Sequence, residues 1–308
     1  MNVIAGNVVR IAFVLSETLM VRIAFFAPLG LSALLACNSG DGPPVVKAVQ
    51  DGTRPADPTA PVPFVFGEVR TSRSAVLHQD RTLNVYLPDG YSPDSATTYP
   101  VIYVLDGSAN EDFPHIAGLA QYMNMYDLLP KSIVVGIANM DRKHDFTHPT
   151  RNDSDKVWVP NSGGSENFIK FIGDELQPFV EKTYKTNGTR TIIGQSLGGL
   201  LATEILLMRQ ELFDHYILVS PSLWWDDGML ADRAAAILGP RSPLPESIYI
   251  AMAGDDDMMQ DDVDRFKGAL EAHARPPLRW IYEEYPGETH ATILHRAVYR
   301  AFEWMGKK

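Results

Sequence analysis

Thr191-Ile192-Ile193-Gly194-Gln195-Ser196-Leu197-Gly198-Gly199 runs without a break into an Ala/Leu-rich stretch ending at Met208. The β-branched residues 191–193 read as a short buried strand, and 197–208 as a helix that starts at once after it. Between the two stands G-x-S-x-G, with Gly199 added. A serine on so tight a strand-to-helix turn takes strained dihedrals, so residues two positions away must lack side chains that would collide. The helix N-terminus points free N–H groups and the positive end of its dipole at any negative charge forming beside the hydroxyl. The pattern marks Ser196 as a nucleophile; its bland alternative is a Gly-rich loop capping a helix.

Outward from this turn, strands alternate with helices. Apolar runs at 101–105, 132–138, 215–220, 247–253 and 278–285 are too short for helices. Segments 165–184, 261–274 and 291–305 carry apolar residues at helical spacing. The opening segments 67–77 and 81–87 read as an antiparallel edge pair. This is an α/β protein: a mostly parallel central sheet with antiparallel N-terminal edge strands and helices on both faces.

A serine hydroxyl attacks only when a base takes its proton. With this kind of turn the partners follow in the order Ser, acid, His, each on a loop after a later strand. His290, in Pro286-Gly287-Glu288-Thr289-His290, lies between the last strand and the last helix and fits the base. His295 falls inside that helix. The acid is sought in Gly254-Asp255-Asp256-Asp257, where a strand meets a loop; Asp257 is preferred and Asp255 is the alternative. At least one of these aspartates is expected to cap the following helix instead. The spacing lacks the glycine and terminal glutamate of a calcium loop. The oxyanion hole is expected to use the N–H of Leu197 and a second donor after strand 101–105, Gly107 or Ser108.

With these pieces in place the chain resembles the enterochelin (siderophore) esterase-like branch of the α/β-hydrolases. The broader putative esterase family that this branch resembles includes S-formylglutathione hydrolases, feruloyl and acetylxylan esterases and mycolyltransferases. The resemblance covers about 81–305. It rests on Val85-Tyr86-Leu87-Pro88, on Tyr99-Pro100-Val101-Ile102-Tyr103-Val104-Leu105-Asp106-Gly107, on the Ser196 turn, on Ser220-Pro221-Ser222-Leu223-Trp224-Trp225, and on 287–290. Gly136-Ile137-Ala138-Asn139, Arg142 and Asp145-Phe146-Thr147-His148-Pro149 resemble the siderophore esterases in particular. The resemblance implies the α/β-hydrolase fold and a serine esterase working through an acyl-enzyme. It also places Arg142 and Trp224 beside the site: Arg142 would pair with a substrate oxygen anion and Trp224 would stack on an aromatic acyl group. For Arg142 a loop-pinning ion pair with Asp145 stands as the alternative. The acid stays open, because some members of that branch act with a Ser–His pair alone.

The N-terminal part reads differently. Arg22 precedes an apolar run that ends Leu34-Leu35-Ala36-Cys37, which has the form of an export signal closing on a bacterial lipobox. Residues 1–37 are read as that signal, with Cys37 as the lipidation site and Met20 as an alternative start. An incidental cysteine after an ordinary signal is the competing reading. Residues 38–63, rich in Gly, Pro, Asp and Thr, read as a flexible tether to a catalytic domain at 64–308. The expected location is therefore periplasmic, or anchored to the outer membrane through lipid. A net charge of −11 with no block of Lys and Arg speaks against a nucleic-acid partner. The expected partner is a small-molecule ester, with no metal and no organic cofactor; the sequence leaves the oligomeric state open. An acyltransferase and a non-catalytic binding module are the alternative functions.

Overall fold

The computed structural model of the chain describes residues 61, 63–239 and 244–306. The signal at 1–37 with Cys37, and the tether at 38–63 apart from positions 61 and 63, lie outside the described residues.

Eight strands form one sheet: β1 (Glu68–Ser74), β2 (Gln79–Tyr86), β3 (Tyr99–Val104), β4 (Ile133–Ile137), β5 (Thr186–Gln195), β6 (His215–Val219), β7 (Ser247–Ala253) and β8 (Arg279–Tyr285). Their spatial order is β1-β2-β4-β3-β5-β6-β7-β8. β2 runs antiparallel to both β1 and β4, and every other pairing is parallel. The helices are α1 (Phe113–Met125), α2 (Arg142–Asp145), α3 (Asp153–Trp158), α4 (Ser165–Lys170), α5 (Gln177–Thr183), α6 (Leu197–Met208), α7 (Trp225–Ile237), α8 (Asp257–His273) and α9 (Ile293–Gly306). A π-helical turn, Phe171–Leu176, joins α4 to α5, so the single helix expected over 165–184 carries a bulge in its middle.

The central strands are apolar at nearly every position because both faces of the sheet are covered. Alternate residues divide between two cores. Tyr103, Leu218 and Ile250 face the layer built by α6, α7 and α8, whereas Val104, Val219 and Ala251 face α1 and α9. β8, at the edge, is only half-buried along most of its length. Strand β5, which leads into Ser196, lies between β3 and β6, so the loops after β3, β6, β7 and β8 gather around its carboxyl end.

Candidate active site

Ser196 stands between β5 and α6 with φ 58° and ψ −120°, a region that side-chain-bearing residues rarely enter. Its N–H donates to Val219 O (3.0 Å), and its carbonyl accepts from the Ser222 N–H (3.1 Å). The turn is held from outside by the β6 end and the loop behind it. The glycines explain how the chain passes. A Cβ on Gly194 would run into the Gly198 carbonyl, and one on Gly199 would lie 2.8 Å from Pro221 Cα. At Gly198 the constraint is milder, the nearest atom being Asp106 Oδ2 at 3.3 Å. Leu197 opens α6, so its N–H has no intrahelical acceptor and is available beside the hydroxyl.

Ser196 and His290 line one cleft of about 380 Å³, together with Asp106, Glu111, Asp112, Arg142, Gln195 and Ala291. A larger hollow of about 520 Å³ lies at the opposite ends of the strands, near Pro100, Lys131 and His215, and holds none of these groups. His290 is pinned three ways. Its N–H donates to Asp255 Oδ1 (2.7 Å), its carbonyl accepts from the Gln195 amide, and its Nδ1 lies 2.8 Å from Asp256 Oδ1. An ionised carboxylate only accepts, so Nδ1 carries the proton and the Nε2 lone pair is left free. The Ser196 hydroxyl sits 3.3 Å from Ser222 Oγ and makes no hydrogen bond to the imidazole in this resting arrangement. Such bonds commonly tighten only when substrate arrives.

The carboxylate that meets the His290 ring is therefore Asp256, not the expected Asp257. Asp256 is buried, its Oδ2 accepts from the Ala253 N–H (3.3 Å), and its other oxygen faces the ring. Asp257 is the first residue of α8 and is exposed. Helix α8 starts four residues earlier than the apolar spacing suggested, which carries Asp257 away from the base. Asp255 is held to His290 through the backbone rather than through the ring.

Of the two residues expected to give the second oxyanion donor, Gly107 is already engaged. The Gly107 N–H is spent on Ile137 O (3.0 Å), and its carbonyl accepts from Asn84 (2.8 Å). A Cβ there would collide with Gly136, so this glycine serves close packing of β4 against the loop. The Ser108 N–H is bonded only weakly, 3.4 Å from Glu111 Oε2, while the carbonyl and hydroxyl of Ser108 accept from the Glu111 and Asn139 N–H groups (3.0 and 3.2 Å).

Arg142 reaches the cleft but is already engaged. Its Nε and Nη2 grip Asp106 in a two-point pair (2.6 and 2.9 Å), and Nη2 also lies 3.3 Å from Gln195 O. The alternative pairing with Asp145 does not form, because Asp145 is bound in a buried ion pair to Arg81 (2.9 Å). Trp224 is half-buried against the core and against Trp225 and does not line the cleft that holds Ser196. Trp225 is fully buried, with its indole N–H on His148 O (2.9 Å).

Asp106, Glu111, Asp112, Gln195, Ser222 and Asp256 were not singled out from sequence. Glu111 and Asp112 belong to a loop without a motif, and Gln195 occupies the variable position of the turn. Asp106 takes φ 56°, an uncommon angle for aspartate that turns its carboxylate toward Arg142. Asp112 is pushed up to about 6 by burial, then by the neighbouring charges of Asp106 and Glu111, with Arg142 opposing. Among the described residues, no cluster of three or more metal-ligating side chains is present.

Known proteins resemble this chain in sequence and fold. The model of a family described as "Putative esterase" matches residues 74–290. Ferri-bacillibactin esterase BesA of Bacillus subtilis (strain 168) is 28% identical over 261 residues, covering 77% of this chain and 88% of its own. Among solved structures, an IroE-like serine hydrolase from Shewanella oneidensis superposes with a TM-score of 0.70 at 29% identity, over 78% of this chain and 80% of that one. Siderophore hydrolase EstB from Aspergillus nidulans, at 22% identity, shares the fold with a TM-score of 0.67 over 81% of this chain and 97% of its own.

Proposed function

The chain belongs to this esterase family and is a serine ester hydrolase of the α/β-hydrolase fold; on that premise we propose that it cleaves the ester bonds of siderophore-type iron chelators. BesA, named for a substrate of that kind, supports the substrate class. The observation that carries the catalytic assignment is the bond from His290 Nδ1 to the buried Asp256, with Ser196 in the same cleft.

In this reading Nε2 of His290 takes the Ser196 proton as Oγ attacks the ester carbonyl. Asp256 holds the Nδ1–H tautomer and stabilises the imidazolium that forms. The oxyanion is received by the Leu197 N–H. The Ser108 N–H, on releasing Glu111, supplies the second donor. The imidazolium protonates the leaving alcohol, and the C–O bond breaks to leave an acyl-enzyme. Water, deprotonated by the same His290, attacks that ester and restores the serine. Arg142 keeps Nη1 without a hydrogen bond, ready for a neutral acceptor on the substrate.

The test is covalent and kinetic. A fluorophosphonate probe should label the wild-type chain and leave Ser196→Ala unlabelled, with hydrolysis of a p-nitrophenyl ester lost in the same variant. Full activity of Ser196→Ala would overturn the assignment. Hydrolysis of ferric and iron-free chelator esters, followed by product chromatography, tests the substrate.

Export with acylation at Cys37, residues 38–63 as tether, and a periplasmic or outer-membrane-anchored location are proposed from sequence alone. They rest on Arg22 and on Leu34-Leu35-Ala36-Cys37. Labelled palmitate should enter the mature protein in a bacterial host, and an unlabelled mature protein would refute the anchor.

A further inference from the structure

The cleft that holds Ser196 and His290 carries an excess of negative charge. Asp106, Glu111 and Asp112 stand against a single guanidinium, Arg142, so three carboxylates less one cation leave two negative charges while His290 is neutral. Arg142 does not relieve this excess, because its single charge is already matched by Asp106, which its Nε and Nη2 grip. Glu111 is bonded only to neutral donors, the Asn139 amide (3.2 and 3.1 Å) and the Ser108 N–H (3.4 Å). The Asp112 carboxylate makes no hydrogen bond among the described residues. Glu111 is exposed and is screened by water and salt, whereas Asp106 is buried and Asp112 half-buried, so the fields of those two are screened less. The net charge of the whole chain, −11, has the same sign.

Ferric chelates differ in charge by simple arithmetic. Iron(III) held by three catecholates, each a dianion, is a trianion; held by three hydroxamates, each a monoanion, it is neutral. A trianion entering a cleft with two uncompensated carboxylates is repelled at every approach, whereas a neutral complex is not. Resting on the chelator-ester reading above, we propose that Glu111 and Asp112 make this a charge-selective site that takes neutral or cationic ester substrates, of the ferric tris-hydroxamate class, and rejects trianionic ferric tris-catecholates.

The experiment measures selectivity ratios. Ferric complexes of a tris-hydroxamate ester and a tris-catecholate ester would be hydrolysed by the wild type and by the double variant Glu111→Gln/Asp112→Asn, at low and at about 0.5 M salt. Two like-signed charges facing three at roughly 8 Å in water, screened over about 10 Å at about 0.1 M salt, should cost the catecholate about tenfold in kcat/KM there, and more at lower salt. The wild-type ratio should therefore favour the hydroxamate, shrink with salt, and shrink about tenfold in the double variant. A ratio that ignores both salt and the substitutions would overturn the inference, and the wild-type salt series gives that answer even if the variant folds poorly. A parallel set of p-nitrophenyl esters with cationic, neutral and anionic acyl chains separates the two readings. If these are ranked cation over anion while neither chelate is cleaved, charge selection stands and the chelator reading fails. If the chelates are cleaved but every ratio is flat, the chelator reading stands and charge selection fails.

Discussion

Replacing Asp256 by asparagine keeps the shape of the side chain and removes its charge. Asp256 Oδ1 lies 2.8 Å from His290 Nδ1, and its side chain is 4% exposed. The imidazolium formed during acylation therefore sits beside a poorly solvated carboxylate. With charge centres about 4 Å apart and an effective dielectric near 20, the attraction is ~4 kcal/mol. At about 1.4 kcal/mol per tenfold, that predicts a loss of ~10³ in kcat. An amide can also donate to Nδ1 and favour the wrong tautomer, so the expected loss is ~10³–10⁴. The assay is single-substrate kinetics on a p-nitrophenyl ester, with thermal unfolding run alongside to confirm a folded variant. Asp257→Asn is the matched control: its side chain is exposed on α8 and should leave kcat within about twofold, as surface substitutions usually do. Retention of more than about a tenth of the wild-type kcat by Asp256→Asn would refute the reasoning, and so would an equal loss in Asp257→Asn.

Gly194→Ala places a methyl group against the Gly198 carbonyl and should lower stability by about 1–3 kcal/mol in urea unfolding, with turnover reduced as the turn shifts. Asp145→Ala leaves the buried Arg81 charge unpaired and should cost ~3–5 kcal/mol by the same measurement, more than any substitution of an exposed ion pair. Asp112 has a folded pKa of about 6 against an ordinary value of 3.8, so the folded chain holds its proton more tightly and that stabilisation is lost as pH rises through this interval. Asp112→Asn should accordingly match the wild type in Tm below pH 4 and gain on it between pH 4 and 7; a gap independent of pH would contradict this.

Much of the frame was legible because its signals are local and strong. The extents of α6 and β7 agree with the sequence reading, since dense apolar runs leave little freedom about where such elements lie. Helices α1 and α7 were not anticipated. α1 begins Phe113-Pro114 without a capping side chain, and α7 passes through left-handed dihedrals at Asp226, Asp227 and Gly228, which breaks any helical periodicity. Ser196 and His290 could be read because each sits where a strand meets a helix. Three aspartates in succession could not be ranked: adjacent side chains leaving a strand diverge, and the start of the next helix decides which one turns inward. The charges of the cleft wall were invisible for a related reason. Asp106 and Asp112, on the connection from β3 to α1, meet Arg142 at the start of α2, and no spacing in the chain records that meeting.

The placement of His290 has a further consequence. The base is carried by the connection between β8 and α9, and β8 is the half-exposed outer strand of the sheet. It is tied inward by Gln195 on the nucleophile strand and by Asp255 and Asp256 after β7. Hydrolytic activity is thus a gauge of whether the C-terminal edge is docked. Outer strands are natural places for partial opening, so on gentle heating turnover should fade while the spectroscopic signal of the inner strands is still intact, and should return on cooling. The enzyme would then switch off by fraying at one border, long before it melts.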